Sequence, residues 1–502
     1  MKETNRILLC ISLIAGFISS CNKALDLKPV SSITAASYWQ NESDAVAGAN
    51  AMYHLLRLQA TNQGNQYNTF FLGEARSDVF VTGTAAPLFT AYYDNLLTSA
   101  AAGPSWQGYY TIINTANLVL KYVPTIQFTS EAAKNALLAE AYTMRAYVYF
   151  IMTKSWGDLI IRKDPIEAYD PGTGSQSARS PKEDVFKFIK ADLDMAIQLY
   201  PNNSFTTGRA KWSKPAANAV KAEVYLWTGK RLNGGTADFN TALTAINEVQ
   251  TATPLALLSN FADIFSYTNK GNNEIIMAIR LADGEAATGY TSYMYGMSVP
   301  ACTPQAQKDA IGVQNAGTIS NHNWMLSPSV RNTFTTDDQR KDATFIDLYT
   351  YNSSCVQTGY SGTVTMKFKG TTISSARAFL DDVIIFRLAD ILLMKAEIKN
   401  ALGLDPAEEI NLVRQRAYGS NFPAHIFVSG TPVQNDDAIL KERLLELVVE
   451  GKRWWDLVRF GKAYQLVPSL VGKDDATHHL LLFPISNSIL ALEPNVKQNP
   501  DY

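Results

Sequence analysis

Apolar residues recur at steps of three and four along several stretches of the chain, a spacing that places side chains on one face of an α-helix. The three clearest stripes consist of Leu137, Ala141, Met144, Val148 and Met152; of Ile385, Leu388, Leu392 and Ala396; and of Leu444, Leu447, Gly451, Trp454 and Val458. Each stripe predicts an amphipathic helix that buries one face.

Signals for helix starts and weaker periodicity add further helices. Ser180-Pro181 with Glu183 has the form of an N-cap, a proline at the first helical position and an acid in the first turn, and Asp405-Pro406 opens another helix in the same way. Helices are also predicted at 43–59, 106–124, 184–200, 214–229 and 239–251. Several come in pairs joined by short polar loops, as in helical-hairpin repeats. The chain lacks the tetratricopeptide consensus, so the pairs are at most divergent members of that class.

Two stretches break the helical rhythm. Residues 60–105 and 281–380 are rich in small and polar residues, with aromatic residues interspersed. Long irregular segments in a compact body are usually functional or disordered, and aromatic content argues against disorder. We therefore expect the ligand at these two stretches.

Composition narrows the class of protein. The 502 residues are 46% hydrophobic and 18% charged, which indicates a large packed core. The formal net charge of -2 gives no reason to expect nucleic acid or an anionic membrane as partner, so a neutral partner is favoured. An aromatic share of 11% fits a surface that stacks on ligands, although core packing could use much of it.

The first residues have the form of an export signal. Lys2 and Arg6 precede the apolar run 7–18, which is too short to span a bilayer and has the length of a signal-peptide core. The run ends in two serines before Cys21, as in a bacterial lipobox, where the cysteine is acylated and becomes the mature N-terminus. We expect residues 1–20 to be removed and Cys21 to carry lipid. Ordinary cleavage that leaves Cys21 unmodified is the alternative.

Two further cysteines, Cys302 and Cys355, would remain in the exported protein and could form one disulfide. Their distance in space is not readable from the sequence.

Six blocks in a fixed order carry a family resemblance. They are Glu140 to Phe150 with Trp156-Gly157-Asp158, Phe386 to Glu397, Asn411 to Ala417, Glu442 to Arg459, Phe483 to Ser486, and Gln498 to Tyr502. Together they resemble the conserved blocks of the SusD/RagB family and span about the whole mature chain. Ser486 and Asp501 depart from the family's closing pattern.

The resemblance implies a fold, a function and a partner. The fold is all-α, a scaffold of tetratricopeptide-like helical hairpins with an irregular, loop-rich insert that binds the ligand, in one continuous domain over residues 21–502. The function is non-enzymatic capture of a glycan at the cell surface. The partner is a SusC-like TonB-dependent outer-membrane transporter, and no cofactor is implied.

Catalytic readings of the sequence are weak. Glu446 and Glu450 lie one helical turn apart, so they cannot flank a sugar from opposite sides as the two acids of a glycosidase do. An ion-pair ladder with Arg443 and Arg453 is the preferred interpretation, and Arg387 with Asp390 is interpreted in the same way. No nucleotide-binding or nucleophile motif is present.

Two further features concern metal binding and ion pairing. The pair His478-His479 lacks a partner motif, so no metal site is predicted. Arg145, on a partly apolar face between Tyr142 and Tyr149, requires an acidic partner from elsewhere in the chain.

Sugars call for flat aromatic faces and for amide or carboxylate partners. The predicted ligand-binding residues are Trp324, Tyr290, Tyr293, Tyr295, Asn321, Asn323, Tyr92 and Tyr93. In this hypothesis Trp324 forms the platform with one or two tyrosines, and the asparagines bind hydroxyl groups. The alternative for each aromatic residue is that it packs its own loop onto the scaffold. Trp106, Trp212 and Trp227 are predicted to be core residues.

Three other functions stay open at this point. Some family members capture peptides, which would favour groups placed for a peptide backbone or charged pockets for its termini. The low charge of the two irregular stretches favours sugar. A surface glycosidase and a purely structural component are the remaining alternatives.

Overall fold

The computed structural model describes residues 38–61, 68–83, 90–167, 177–288, 290–296, 298–314, 323–474, 476, 480–500 and 502. The α-helices are α1 (Glu42–Ala60), α2 (Asn68–Gly73), α3 (Thr90–Tyr93), α4 (Gln107–Tyr122), α5 (Glu131–Trp156), α6 (Lys182–Leu199), α7 (Lys214–Arg231), α8 (Gly235–Gln250), α9 (Gln305–Ile311), α10 (Pro328–Arg331), α11 (Arg340–Thr344), α12 (Leu388–Ala401), α13 (Ala407–Tyr418), α14 (Pro432–Leu447), α15 (Arg453–Arg459), α16 (Ala463–Leu466) and α17 (Asn487–Leu492). The strands are β1 (Phe80–Thr82), β2 (Ile275–Ile279), β3 (Trp324–Leu326), β4 (Phe345–Tyr351), β5 (Gln357–Thr365), β6 (Thr371–Ile373), β7 (Ala376–Ala378) and β8 (Val383–Arg387).

The predicted all-α scaffold is confirmed. Long helices that follow one another along the chain pack side by side: α4 against α5, α5 against α6, α7 against α8, and α12 against α13. Helix α1 packs on α4, and α14 packs on α12. Trp106, Trp212 and Trp227 are all buried, as predicted, among the apolar faces of these helices.

Helices α6 and α13 begin beside their predicted start signals, but each N-cap is one residue later than predicted. Helix α6 begins at Lys182 with Pro181 at the N-cap, so the predicted capping role of Ser180 is wrong. Ser180 instead exchanges backbone hydrogen bonds with Leu159, because the chain before α6 is extended and pairs with the end of the preceding segment. The helix predicted after Asp405 is present, but Pro406 is at its N-cap, so the capping position predicted for Asp405 is also wrong by one residue; the Asp405 carboxylate still accepts a hydrogen bond from Ala407 N at 2.9 Å.

Two apolar stripes do not form single helices. Ile385 belongs to β8, and α12 begins only at Leu388. The stripe from Leu444 to Val458 is split between α14 and α15. The buried carboxylate of Glu74 accepts hydrogen bonds from the backbone N–H groups of Val449 and Lys452 at 2.9 Å, so a side chain from far along the chain stabilises this break.

The segment 281–380 is an insertion between two paired strands. Strand β2, which precedes it, and strand β8, which follows it, form an antiparallel pair with Ile275 opposite Arg387. The insertion therefore leaves the helical scaffold and returns to it at one place. Within it, β4 pairs with β5 and β6 with β7, while β3 pairs with β1 from the first irregular stretch.

The predicted local ion-pair ladder is wrong in its partners. Glu446 pairs with Arg387, Arg340 and Arg416, and Glu450 pairs with Arg387 and Lys367. Arg443 instead pairs with Asp390 and Asp456, and Arg453 pairs with Asp78. The partners come from other elements because these side chains are buried between helices, where residues on the same helix face cannot satisfy all their hydrogen-bonding groups.

Two contacts that the sequence left open are present. Cys302 and Cys355 form a disulfide, which ties the turn between β4 and β5 to the chain before α9. Arg145 on α5 forms a two-point ion pair with Asp192 on α6, with N–O distances of 2.8 and 2.7 Å. Asp192 is the acid that the apolar surroundings of Arg145 required.

None of the helices in the described part of the chain is both long and apolar enough to span a bilayer.

Candidate ligand-binding surface

The two irregular stretches meet in a short sheet. Strand β1 comes from the first stretch and β3 from the second, and they pair antiparallel with Phe80 opposite Leu326 and Thr82 opposite Trp324. The hydrogen bond from Gly83 N to Asn323 O, at 2.7 Å, extends this contact. The two stretches at which the sequence analysis expects the ligand are therefore adjacent in the structure.

Trp324 lies beneath this region, in an aromatic cluster. Its side chain is 1% exposed, and its ring stacks on Phe70 at 4.7 Å and contacts Phe71 and Phe80. Tyr92 belongs to the same cluster, because its ring stacks on Phe71 at 4.5 Å. The structure thus brings two predicted residues together, but both are buried and neither presents an open face to solvent.

Tyr295 lies apart from Trp324. It belongs to a small separate core of the insertion, where its hydroxyl donates to Ile311 O and the Arg377 guanidinium lies 4.8 Å from its ring centre. Burial raises the pKa of Tyr295 to about 12. This residue packs the insertion onto itself.

The other predicted residues divide into two groups. Tyr293 is partly buried and its backbone carbonyl accepts from Asn323 N at 2.8 Å, whereas Asn323 is 6% exposed. Asn321 and the Tyr290 side chain lie outside the residues that the structure describes, as do Cys21, His322, His478 and His479.

The exposed aromatic residue over this sheet is Tyr360 of β5, which is 42% exposed. Its hydroxyl hydrogen bonds to Thr363 Oγ1 at 2.6 Å and lies 3.7 Å from Met325 Sδ on β3. The Arg331 guanidinium lies 4.4 Å from the centre of the Tyr360 ring. Tyr349 contacts the ring edge-on, with centroids 6.4 Å apart. The ring is therefore held in place while much of it stays in solvent.

Hydrogen-bonding groups surround this ring. The carboxylate of Asp347 accepts from Arg331 Nη1 at 3.0 Å and from Thr363 Oγ1 at 2.6 Å. Asp347 and Arg331 are both partly exposed, so each has capacity for a further partner from solution. The Arg331 guanidinium covers one face of the Tyr360 ring, so the C–H face of a sugar can contact the opposite face, while the Asp347 carboxylate and the guanidinium can hydrogen bond to its hydroxyls.

Tyr93 lies at the other edge of the β1–β3 pair. It is partly exposed, and its hydroxyl hydrogen bonds to Thr82 Oγ1 at 2.7 Å. Burial raises the pKa of Tyr93 above its ordinary value. Thr82 lies opposite Trp324, whereas Met325 lies opposite Val81, so Tyr93 and Tyr360 are on opposite faces of the pair. We call the group formed by Val81, Met325, Arg331, Tyr349 and Tyr360 the Tyr360 surface.

Sequence reasoning did not single out Tyr360, Tyr349 or Arg331, because it treated 281–380 as irregular throughout. A signal was present. Residues 345–351 and 357–365 are rich in β-branched and aromatic residues and flank the turn-forming run Asn352 to Ser354, a pattern that predicts a hairpin. The hairpin β4–β5 is what presents Tyr360.

The pair Glu446 and Glu450 offers no catalytic geometry. Glu446 is 0% and Glu450 is 7% exposed, and both are engaged by buried cations. In the described ranges no group of three or more His, Cys, Asp or Glu side chains is arranged to hold a metal ion.

Comparison with known proteins identifies the family. The pattern described as "SusD family" matches residues 312–502, and the pattern described as "Starch-binding associating with outer membrane" matches residues 25–226. The chain is 29% identical to SusD-like protein P38 of Formosa agariphila over 99% of its own length and 98% of that protein.

Solved structures show the same fold. NanU of B. fragilis is 32% identical and superposes with a TM-score of 0.79 over 95% of this chain and all of that chain (100%). Surface glycan-binding protein A from Bacteroides fluxus is 20% identical, with a TM-score of 0.71 over 92% of this chain and 100% of that one, which shows the shared fold. From these matches and the helical frame that encloses an inserted loop-rich segment, the chain belongs to the SusD/RagB family.

Proposed function

We propose that this protein captures an oligosaccharide at the cell surface and delivers it to a SusC-like TonB-dependent outer-membrane transporter. The observation that carries the proposal is Tyr360, an aromatic ring held by Arg331, Tyr349 and Thr363 yet 42% exposed where the two irregular stretches meet. The family description "Starch-binding associating with outer membrane" supports the same class of ligand.

Stacking on Tyr360 supplies contact area, and polar groups beside it supply selectivity. A sugar ring laid on Tyr360 brings its hydroxyl groups near Asp347 and Arg331, which hydrogen bond to each other at 3.0 Å. Met325, partly exposed beside the ring, offers an adaptable apolar contact. Tyr93, which the sequence analysis predicted to bind ligand, lies on the other face of the β1–β3 pair and is not part of this surface.

We further propose that a lipid on Cys21 anchors residues 21–502 to the outer membrane, facing the cell exterior. A binder held at the membrane keeps its ligand at high effective concentration near the transporter entrance. The helical scaffold, which is separate from the Tyr360 surface, is the part we assign to transporter contact.

Binding without catalysis is the simplest reading of the acidic residues. Glu446 and Glu450 each pair with Arg387 in the interior, so neither carboxylate is available to protonate or attack a glycosidic bond. The carboxylate of Asp347 is accessible, but a hydrolase needs a second acid on the opposite side of the sugar.

The experiment is calorimetric titration of the full-length chain in detergent against a panel of plant, microbial and host oligosaccharides. Saturable binding of one glycan class without product formation, weakened by about 1 kcal/mol or more in Tyr360→Ala, supports the proposal. Tyr225→Ala, which removes a partly exposed tyrosine from α7, is the matched control and should bind as the wild type does. Heat released on addition of mixed peptides, together with no binding heat from any of the sugars, would favour peptide capture instead.

A further inference from the structure

A second cleft lies on the helical scaffold, between the C-terminal half of α1 and strand β2. Its volume is about 320 Å³, within the range of small-molecule sites. The apolar part of its wall comprises Leu56, Met277 and Ile279, all of which belong to the buried core. Two arginines, Arg57 and Arg280, also line it.

Arg57 has an unused donor. Its Nη1 donates to Glu285 Oε2 at 2.5 Å, and its Nε is buried with no hydrogen-bond partner in the part of the chain described here. Because that Nε has almost no accessible surface, a ligand in the cleft would reach Arg57 through its terminal nitrogens, in exchange for Glu285. Glu285 is 57% exposed, and an ion pair this exposed is weak and readily exchanged.

Arg280 is held in place while part of its guanidinium stays available. Its Nε donates to Asp382 at 2.8 Å and its Nη2 donates to Gly208 O at 2.7 Å. Its Nη1 makes no hydrogen bond to any residue that the structure describes. The side chain is 36% exposed, so this remaining donor is accessible from the cleft.

The surroundings add positive charge. Lys211 Nζ donates to Asn50, which lines the cleft, at 2.7 Å, and Lys270 lies 3.4 Å from Asp382. Asp382 is therefore shared between two cations, Arg280 and Lys270, and does not neutralise both. Two further acids lie nearby: Glu140 accepts from the hydroxyl of Tyr53 at 2.7 Å, and Asp381 interacts with Lys270 and Asp382.

We infer that this cleft is a second binding site, selective for a sugar residue that carries a carboxylate. Each guanidinium already donates to protein groups, so the remaining donors of Arg57 and Arg280 together would form the fork that binds the two oxygens of a carboxylate, and the apolar wall suits the C–H face of the ring. The site differs from the Tyr360 surface, where a neutral sugar suffices. The inference rests on the proposed function only for the class of ligand.

The test is calorimetry on the full-length chain in detergent, with trigalacturonate and its uncharged methyl ester as probes. The free acid should bind at least tenfold more tightly than the ester, and added NaCl should weaken only the binding of the acid. Arg57→Gln/Arg280→Gln should lower the affinity for the acid at least tenfold. Arg231→Gln, an exposed arginine at the end of α7, should leave it within twofold.

A charge-conserving variant covers the case in which the double glutamine variant does not fold. Arg57→Lys/Arg280→Lys keeps the charge and loses the fork, so the affinity should fall about fivefold. The inference is overturned if acid and ester bind equally, if neither saturates, or if both double variants bind the acid like wild type.

Tyr360→Ala separates this inference from the proposed function. If Tyr360→Ala loses binding to the neutral glycan but still binds the acidic probe, the result supports two separate sites. Loss of acid binding in Tyr360→Ala, with retention in both arginine variants, places the acid on the Tyr360 surface and overturns the inference. Absence of neutral-glycan binding bears on the proposed function alone.

Discussion

Arg387 and Glu450 form a two-point ion pair in the interior, with Nε to Oε2 and Nη2 to Oε1 both at 2.8 Å. The side chains are 1% and 2% exposed. Burial alone would raise the pKa of Glu450, and the positive charges of Arg387 and Lys367 bring it below the ordinary value. Glu450 also pairs with Lys367, which belongs to the insertion. This group of buried charges is therefore part of the contact between the insertion and the C-terminal helices.

Arg387→Gln should lower the free energy of unfolding by about 3–5 kcal/mol, because it leaves Glu446 and Glu450 buried with fewer partners. Urea unfolding followed by circular dichroism measures the change. Lys221→Gln is the matched control: its partner Asp194 is 58% exposed, so the loss should be about 1 kcal/mol or less. Equal losses in the two variants would contradict a stabilising role for the buried pair.

Low pH should lower the free energy of unfolding, because Glu397 becomes protonated. Burial alone would raise the pKa of Glu397, but the charges of Arg459 and Lys230 lower it to about 2. A carboxylate with a depressed pKa stabilises the fold above its unfolded pKa of about 4.3, and this contribution is lost as the pH falls toward 2. The difference in unfolding free energy between wild type and Glu397→Gln should therefore shrink between about pH 4.5 and pH 2.

Urea titrations of both proteins across pH 2–7 measure this difference. A difference that is constant over that range would show that Glu397 does not titrate as its surroundings indicate.

Loss of the disulfide should affect both stability and binding. Cys302→Ser/Cys355→Ser opens a link between residues 53 positions apart, and such links typically contribute about 2–4 kcal/mol. The turn that Cys355 occupies joins β4 to β5, so the variant should also bind glycan more weakly through Tyr360. Thermal unfolding and calorimetry measure the two effects. Wild type treated with reductant should match the variant, and unchanged values in both would contradict the prediction.

Trp324→Ala should lower the free energy of unfolding. Removing a ring that is 1% exposed and packed against Phe70, Phe71 and Phe80 leaves a cavity that costs about 3–5 kcal/mol. Tyr360→Ala, which removes a 42% exposed ring, should cost about 1 kcal/mol or less in unfolding while it weakens glycan binding. Comparing the two in urea unfolding and calorimetry tests the assignment. Trp324→Ala with wild-type stability and no glycan binding would restore Trp324 as the platform.

Most of the helical frame could be predicted from the sequence. Periodic apolar positions and start signals identified α1, α4, α6, α7 and α8 to within a few residues, because burial of one face repeats with the helix turn, but the stripe from Leu444 to Val458 was predicted as one helix and is two. The need of Arg145 for an acid was also readable, since a guanidinium on an apolar face requires a partner. The identity of that partner, Asp192 on α6, was not readable, because it lies 47 residues away.

Which aromatic residues are exposed and which charges pair depends on the tertiary structure. Trp324 and Tyr360 belong to the same insertion, yet one is buried under the β1–β3 pair and the other is presented by the β4–β5 hairpin. The predicted pairing of Arg387 with Asp390 is wrong: Arg387 in β8 pairs with Glu274, 113 residues away, and Asp390 in α12 pairs with Arg443. Residue spacing within one element sets which side chains share a face, whereas burial and pairing depend on which other elements pack against that face.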